Sequence, residues 1–238
     1  KMKSEAIVEL GKPLQTIETE TPTPKGKEVL LKITHSGVCH SDVHIHDGYF
    51  DLGGGNKLPV GAMLNLPHTM GHEIEGEVVS IGSDVKDIEI GSNVVAYPWI
   101  GCGNCSTCSD GDEHYCNAPR QLGIQLPGGF ADYCIVPDSK YVLDYEGIRP
   151  GLAATYMCSG LTAFGALKKI VNIGDKDHIL IMGLGGVGMM GLQFARSLFN
   201  CKILAADIDP NKLQAAKGAG ADEVYDTSDE QSLKKLLD

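Results

Sequence analysis

Four cysteines within fifteen residues form the pattern with the clearest chemistry in this chain. They have the spacing C-x2-C-x2-C-x7-C and lie at Cys102, Cys105, Cys108 and Cys116. Thiolates at such spacing can point at one centre, so the pattern predicts a tetrahedral Zn²⁺ site made of four sulfurs. Because four thiolates fill the coordination shell, this zinc would stabilise a lobe and not bind substrate. Two disulfides or free thiols are the alternatives, but nothing in the sequence indicates an oxidising compartment.

A glycine-rich run predicts a second site, which would bind a dinucleotide. The run GLGGVG fits G-x-G-x-x-G, follows a predicted strand and opens a predicted helix, and its site positions are Gly183, Gly185, Gly186, Val187 and Gly188. Gly183 permits a tight turn, Gly185 lets a pyrophosphate approach the backbone, and Gly188 allows the helix to pack closely on the strand. Free N–H groups at the start of the helix would bind the phosphates.

An acidic residue at the end of the next strand indicates which dinucleotide binds. Asp207 follows Gly188 by nineteen residues. A carboxylate at this place can accept hydrogen bonds from the adenosine ribose and would repel a 2′-phosphate, which favours NAD over NADP. The alternative role of Asp207 is a helix cap, but Asp209, directly before Pro210, is better placed for it.

These residues must be positioned by two different kinds of structure. Up to about residue 150, short alternating segments broken by Gly, Pro, Asn and Asp predict a β-rich domain, with strands at 28–38, 74–82, 93–100 and 130–137. The cysteine lobe, about residues 100–118, follows the third of these strands. We therefore expect the first domain to span residues 1–150.

After Pro150 the pattern changes to helices and strands in alternation. A helix is predicted at 152–170, and strands at 178–183, 202–207 and 223–226 are separated by helices that start at the glycine run and at Pro210. Such alternation predicts a parallel sheet. The fold class is mixed β and α/β, with the second domain at 151–238 holding the first half of a doubly wound sheet.

Composition limits the partners and the location of the protein. A net charge of −11 argues against nucleic acids and anionic membranes, which attract basic surfaces. No apolar run is long enough to span a bilayer, and the first residues lack the apolar core of a secretory signal. Eight cysteines in 238 residues without such a signal favour the reducing cytoplasm and metal ligation.

The cysteine lobe resembles the structural-zinc lobe of the zinc-containing alcohol dehydrogenases, in the medium-chain dehydrogenase/reductase family. Three further motifs extend the resemblance in the family's order: GVCHSDVH at 37–44, GHE at 71–73, and GLGGVG at 183–188. The resemblance covers essentially the whole chain. It implies a GroES-like catalytic domain followed by a Rossmann NAD-binding domain, and a homodimer or homotetramer.

The resemblance also implies a catalytic zinc held by Cys39, His72 and Cys158. Two sulfurs and one imidazole leave the fourth tetrahedral position open. Taken alone, Cys158 on an apolar helix reads as a small buried hydrophobe. Asp42 resembles the acid that supports the histidine ligand, and Glu73 resembles an acid behind the zinc that sometimes coordinates it. Cys134 and Cys201 match no ligand position and are expected in the core.

Other site residues are likewise implied by the resemblance. Ser41 resembles the hydroxyl that bonds the substrate oxygen, and His44 matches the surface end of a proton relay. His40 and Thr162 match residues near the pyrophosphate and the nicotinamide. Two residues have a functional and a structural interpretation that are equally plausible. Lys212 either lies near the ribose or is a solvated charge on a helix. Trp99 either forms a wall of the substrate pocket or is a core residue.

The implied activity is reversible oxidation of an alcohol to an aldehyde or ketone with NAD⁺, using two zinc ions per chain. Zinc would act as a Lewis acid on the alcohol oxygen, Ser41 and His44 would lead the proton to solvent, and the hydride would pass to the nicotinamide. The rivals are a zinc-free quinone or enoyl reductase of the same superfamily, and a non-catalytic NAD-binding protein. Because only three strands of the doubly wound sheet are visible, we expect the working polypeptide to continue for on the order of another hundred residues.

Overall fold

The computed structural model describes residues 1–237, which form two compact units. The first unit is Lys1–Cys158 and the second begins at Ser159. The boundary therefore lies eight residues beyond the predicted division at 150/151. The reason is that the short helix after Gly151 packs on strands of the first unit and so belongs to that unit.

The first unit is built of antiparallel strands. A three-stranded sheet has the order β2-β1-β6, and a five-stranded sheet has the order β10-β8-β7-β3-β9. A two-stranded hairpin, β4-β5, stands apart from both. In chain order the strands are β1 Met2–Ile7, β2 Gln15–Thr19, β3 Val29–Gly37, β4 Tyr49–Asp51, β5 Lys57–Pro59, β6 His68–Thr69, β7 Glu73–Ile81, β8 Asn93–Ala96, β9 Tyr133–Val136 and β10 Val142–Leu143.

Alternating apolar side chains of the five-stranded sheet form the main core of the first unit. Val29, Leu31, Ile74 and Val78 are fully buried on the paired strands β3 and β7. Strands predicted at 28–38 and 74–82 are thus present within one residue at each end. Those predicted at 93–100 and 130–137 are shorter, and β8 ends before Pro98, which has no N–H to donate to a ladder.

The helices of the first unit are short. They are α1 His40–Asp47, α2 Ser106–Ser109, α3 Ala153–Thr155 and the 3₁₀ turns Gly61–Met63, Glu113–Tyr115 and Ser139–Tyr141. A π-helical turn at Tyr156–Gly160 contains the last residues of this unit and the first of the second. The single helix predicted at 152–170 is therefore divided. At this division, within the π-helical turn, the indole N–H of Trp99 donates to the carbonyl of Met157 at 2.8 Å.

The second unit alternates helices and strands as predicted. Its elements are α4 Leu161–Leu167, β11 His178–Met182, α5 Gly186–Leu198, β12 Lys202–Asp207, α6 Pro210–Gly218, β13 Glu223–Asp226 and α7 Glu230–Leu237. The strands are parallel in the order β11-β12-β13. The core between sheet and helices includes Leu192, Ile203 and Leu213. No helix among residues 1–237 has both the length and the apolar character needed to cross a membrane.

Candidate metal centres and dinucleotide loop

The four cysteines of the cysteine lobe converge on one point. Their Sγ atoms all lie within 4.8 Å of one another. The Sγ atom of Cys105 is 3.5 Å from that of Cys108 and 3.8 Å from that of Cys116. Four sulfurs at the corners of such a small cluster fit a tetrahedral Zn²⁺ ion with no position left open.

Backbone groups around the cysteine lobe favour thiolate sulfur. The N–H groups of Cys102 and Ala118 donate to Cys116 Sγ at 3.4 and 3.3 Å. The backbone N–H of Asn104 is the main cause that lowers the pKa of Cys102 to about 6. Gly101 must be glycine, because a Cβ there would lie 2.4 Å from Cys108 Sγ.

An acidic residue that the sequence did not single out anchors the cysteine lobe. Glu113 accepts the backbone N–H of Gly101 at 3.2 Å, the ammonium of Lys140 at 2.5 Å, and the hydroxyl of Tyr141. Burial opposes ionisation, but these donors outweigh it and lower the pKa of Glu113. Burial and then Glu113 raise the pKa of Tyr141 to about 12, so Tyr141 remains a donor. Through Lys140 and Tyr141, these hydrogen bonds connect the cysteine lobe to the 3₁₀ turn directly before β10.

A second cluster joins residues from three distant segments of the first unit. The ligand atoms of Cys39, His72 and Cys158 lie within 4.8 Å of one another. Cys39 Sγ is 3.8 Å from Cys158 Sγ, which is 3.3 Å from His72 Nε2. Two thiols and one imidazole at this separation fit Zn²⁺ with three protein ligands and one open position.

Local structure explains how each of these three residues is placed. Strand β3 ends at Gly37, and Cys39 is the extended residue that precedes α1. Asp42 in the first turn of α1 accepts the Cys39 N–H at 2.9 Å and faces His72 Nδ1 at 3.2 Å. One buried carboxylate thus orients two of the three residues, and it leaves His72 Nε2 turned toward the sulfurs. Cys158 lies in the π-helical turn that the Trp99 indole holds.

The three groups perturb one another strongly. Hydrogen bonds from Cys158 and then His72 hold the pKa of Cys39 at about 3. Burial opposes protonation of His72, but Asp42 and the Cys39 thiolate outweigh it and raise the pKa of His72 to about 10. The Cys39 thiolate and then burial raise the pKa of Cys158 far above its usual range. A cluster that forms a thiolate so readily is chemically suited to a cation.

Glu73, directly after His72, lies close behind the cluster. It is buried, and a Cβ at Gly37 would lie 2.0 Å from its Oε2 atom. Gly37 therefore admits this carboxylate, which is a role that the sequence did not indicate. The carboxylate of Glu73 is not within the compact ligand set formed by Cys39, His72 and Cys158 among the described residues.

The other residues predicted near the catalytic zinc lie on or beside α1. Ser41 lies beside the Cys39 sulfur, and its backbone N–H and hydroxyl help to lower the pKa of Cys39. The His44 ring packs between those of His40, at 4.7 Å, and Phe50, at 4.8 Å. The Trp99 ring is 5.7 Å from the His72 ring, so Trp99 lies beside the cluster and also holds the Met157 carbonyl.

The glycine run has the predicted strand–turn–helix geometry. Gly183 has φ +81° at the end of β11, and Gly185 directly precedes α5. A Cβ at Gly188 would lie 1.8 Å from the Gly183 carbonyl oxygen, whereas one at Gly185 or Gly186 would meet no protein atom within 4 Å. Val187 is about half exposed. The open side of this turn can receive a phosphate group at the helix N-terminus.

Asp207 lies at the end of β12 with its carboxylate fixed beside the glycine run. Oδ2 accepts the Leu184 N–H at 2.6 Å, and Oδ1 accepts the N–H groups of Ile208 and Asp209 at 2.8 and 2.9 Å. These bonds lower the pKa of Asp207. Lys212 Nζ is 3.9 Å from Oδ2. The cap of α6 is Asp209, as predicted, since Asp209 Oδ1 accepts the Asn211 N–H at 2.8 Å.

The remaining predicted residues lie apart from these clusters. Thr162 is an exposed residue of α4. Cys134 and Cys201 are buried in the cores of the first and second units, as expected. All eight cysteines are free thiols, so the structure contains no disulfide among its cysteines.

Both halves of the chain are similar to known dehydrogenases. Residues 25–146 match the family described as alcohol dehydrogenase GroES-like domain, and residues 186–238 match the family described as zinc-binding dehydrogenase. An NAD-dependent alcohol dehydrogenase from Sulfurisphaera tokodaii is 38 % identical over 99 % of this chain and 67 % of its own length. One from Saccharolobus solfataricus is also 38 % identical, with the same coverage.

The fold is also similar to that of solved alcohol dehydrogenase structures. The alcohol dehydrogenase of Aeropyrum pernix superposes with a TM-score of 0.85 and 27 % identity, over 99 % of this chain and 67 % of that one. This chain thus spans about two thirds of the length of these relatives. With matches of this extent in sequence and fold, the chain belongs to the zinc-type medium-chain dehydrogenase/reductase family.

Proposed function

We propose that this protein is a zinc-dependent alcohol dehydrogenase that interconverts an alcohol and its aldehyde or ketone with NAD⁺. The observation that carries the proposal is the cluster of Cys39, His72 and Cys158, whose ligand atoms lie within 4.8 Å of one another. This donor set leaves one tetrahedral position for a substrate oxygen, which the four-sulfur cluster does not.

The residues around the cluster provide the proton chemistry. When bound, Zn²⁺ supplies a Lewis acid that lowers the pKa of an alcohol toward neutrality. Asp42 keeps the His72 ring oriented through Nδ1. The Ser41 hydroxyl, beside Cys39, would accept the proton of the substrate while it releases its own proton, and His44 on the same helix would lead the released proton to solvent. Trp99, beside His72, forms one wall of the alcohol pocket.

The second unit provides the cofactor site. The N–H groups at the start of α5 would bind the pyrophosphate, and Gly185 would let it approach because the space beside this residue is open. Asp207 would accept hydrogen bonds from the ribose hydroxyls, and three backbone N–H groups keep its carboxylate ionised and oriented. Lys212 lies at the same carboxylate, where its ammonium would reach the ribose edge. Thr162 and His40 are assigned to the nicotinamide and the pyrophosphate by the family resemblance.

A substrate panel with metal analysis tests the function. Primary, secondary and aromatic alcohols are assayed with NAD⁺ and NADP⁺, and zinc is measured by mass spectrometry. We expect two zinc ions per chain and reduction of NAD⁺ in preference to NADP⁺. Cys39→Ser should lose one zinc and turnover but retain the other zinc. Cys134→Ser, which removes a core thiol outside both clusters, is the matched control.

Each part of the proposal has an outcome that would contradict it. Wild-type turnover by Cys39→Ser would remove the catalytic role of the cluster. A preference for NADP⁺, or Asp207→Ala without weakened NAD⁺ binding, would contradict the ribose assignment. NAD⁺ binding without alcohol-dependent NADH formation would favour the non-catalytic alternative.

We further propose a cytoplasmic location and a homodimer or homotetramer. Eight free cysteines, six of them in the two clusters, support a reducing compartment. The oligomeric state follows from the family resemblance. Light scattering coupled to size exclusion measures it directly, and a monomer would contradict the proposal.

A further inference from the structure

One buried carboxylate near the three-residue cluster has no part in the proposed chemistry. Glu75 lies in strand β7 and is 1 % exposed. A carboxylate in such a place destabilises the fold unless donors satisfy it, because it loses its hydration. The donors that surround Glu75 therefore show what it holds together.

Glu75 accepts hydrogen bonds from three residues on two other segments of the first unit: His35 on β3, and Tyr145 and Gly151 on the chain that leads to α3. The Gly151 N–H lies 3.0 Å from Oε1 and 2.9 Å from Oε2. His35 Nδ1 and the Tyr145 hydroxyl lie 3.2 and 3.1 Å from Oε1. Burial and then the Glu75 carboxylate raise the pKa of Tyr145, so this hydroxyl stays a donor.

Each segment that Glu75 joins leads directly to one residue of the three-residue cluster. Glu75 itself follows His72 by three residues at the start of β7. His35, its partner across the sheet, precedes Cys39 by four residues on β3. Gly151 precedes Cys158 by seven residues.

The chain between Gly151 and Cys158 has little freedom to absorb a displacement. Gly151 has φ +82°, and a Cβ on it would lie 3.2 Å from the His35 ring. The next residues form α3, where Ala153 and Ala154 are fully buried, and then the π-helical turn that contains Cys158. A shift at Gly151 should therefore be transmitted to the Cys158 sulfur, because closely packed interiors have low compressibility and transmit strain.

We propose that Glu75 is a positioning residue for the catalytic zinc, because it fixes the three ligand-bearing segments relative to one another. The inference rests on the proposed function, since it takes Cys39, His72 and Cys158 as zinc ligands. Glu75 touches neither the ion nor the substrate and acts through the backbone at Gly151 and the side chain of His35.

The test compares two charge-removing substitutions on the same strand. Glu75→Gln removes the buried charge and turns an N–H₂ group toward donors. Glu77→Gln makes the same change two residues further along, on the same side of β7 but at a more exposed position. Each purified protein is titrated with a zinc chelator, and each is also loaded with Co²⁺, whose thiolate absorption bands report ligand geometry.

For Glu75→Gln we expect the Zn²⁺ affinity of the catalytic site to fall about tenfold, at the low end of the roughly 10–100-fold loss seen when a partner of a metal ligand is removed. Its Co²⁺ bands should shift, while the four-cysteine site keeps its metal. Glu77→Gln should match wild type in both measurements. Tyr145→Phe removes one donor and leaves the charge, so it should cause a smaller loss in the same direction.

The outcomes separate this inference from the proposed function. Two metal sites in wild type, with unchanged affinity and bands in Glu75→Gln, would overturn the positioning role even if the melting temperature falls. If Glu75→Gln does not fold, unchanged affinity in Tyr145→Phe would overturn it. A wild-type protein that binds one metal, at the four cysteines alone, would contradict the proposed function and this inference together.

Discussion

Adding one methyl group to Gly188 should disrupt the dinucleotide loop. A Cβ at this position would lie 1.8 Å from the carbonyl oxygen of Gly183 and 2.9 Å from its carbon. Neither partner can move freely. Gly188 lies in the first turn of α5, and the Gly183 N–H is bonded to the Ala206 carbonyl of the next strand at 2.8 Å.

The size of the effect follows from that distance. Ordinary carbon–oxygen contacts are about 3.5 Å, so Gly188→Ala must separate helix and strand by more than about 1 Å. Forcing a side chain into a packed site typically costs about 1–3 kcal/mol, and the backbone contact places this variant at the upper end. We expect a loss of about 3 kcal/mol in the free energy of unfolding. Displacement of the loop should also weaken NADH binding at least about tenfold, which is about 1.4 kcal/mol.

Two other glycines separate loop geometry from cofactor approach. Gly185→Ala meets no protein atom within 4 Å, so its stability should stay within about 0.5 kcal/mol of wild type. It should nevertheless weaken NADH binding, because the methyl group enters the space proposed for the pyrophosphate. Gly218→Ala in α6 also meets open space and should raise stability by up to about 1 kcal/mol with NADH binding unchanged.

Urea unfolding and fluorescence titration with NADH measure both quantities on each variant. Wild-type stability in Gly188→Ala would refute the reasoning about helix–strand packing. Wild-type NADH affinity in Gly185→Ala would refute the proposed path of the pyrophosphate. Equal losses of stability and NADH affinity in all three variants would show that Gly188 and Gly185 do not have separate roles in packing and in cofactor approach.

Three further predictions concern the first unit. Cys105→Ser should lower the zinc content from two ions to one per chain and reduce the melting temperature. A loss of about 2 kcal/mol in the free energy of unfolding would lower the melting temperature by roughly 4–8 °C. An unchanged melting temperature in calorimetry would contradict a stabilising role of this zinc. Ser41→Ala should lower kcat about a hundredfold or more, whereas His44→Gln should lower it about tenfold and shift the pH profile; equal small effects would indicate another proton route. Burial lowers the pKa of His68 from 6.5, so protons bind mainly to the unfolded chain, and stability should fall as pH drops below 6.5 by up to about 1.4 kcal/mol per pH unit. In urea unfolding between pH 7 and 5, His68→Gln should give a flatter curve, and an identical slope would contradict this assignment.

Much of the second unit could be predicted because its signals are local. Strands at 202–207 and 223–226 have the predicted bounds, and the helix after the glycine run begins where the glycines indicate. Asp209 and Pro210 start α6 through a cap and a fixed φ, which are properties of adjacent residues.

The errors arose where distant residues decide local structure. The helix predicted at 152–170 is interrupted by a π-helical turn, where Trp99, 58 residues away from Met157 in sequence, donates to the carbonyl of Met157. The boundary predicted at 150 lies at 158/159 because α3 packs on the strands of the first unit. Helical periodicity was correct for parts of the segment but contains no information on either contact.

The candidate site was only partly visible in the sequence for the same reason. The seven proposed zinc ligands were found from motifs, and the structure brings them into two clusters. Glu113, Gly37 and Glu75 were missed because their partners are remote: Glu75 and Gly151 are 76 residues apart. A buried carboxylate in a strand has the same sequence appearance as an exposed one until its donors are known.

The charges of the two clusters explain why one would stabilise a lobe and the other would react. Four thiolates around Zn²⁺ give a net charge of −2 and a full shell, so the site at Cys102–Cys116 neither attracts nor has room for an added oxygen ligand. Two thiolates and a neutral imidazole cancel the ion's charge and leave one position open. The proton on His72 must leave when the metal binds, and Asp42, bonded to Nδ1, keeps Nε2 free for the ion. Zinc would thus have a structural role in one cluster and a catalytic role in the other, because the fold brings a different number of sulfurs to each site.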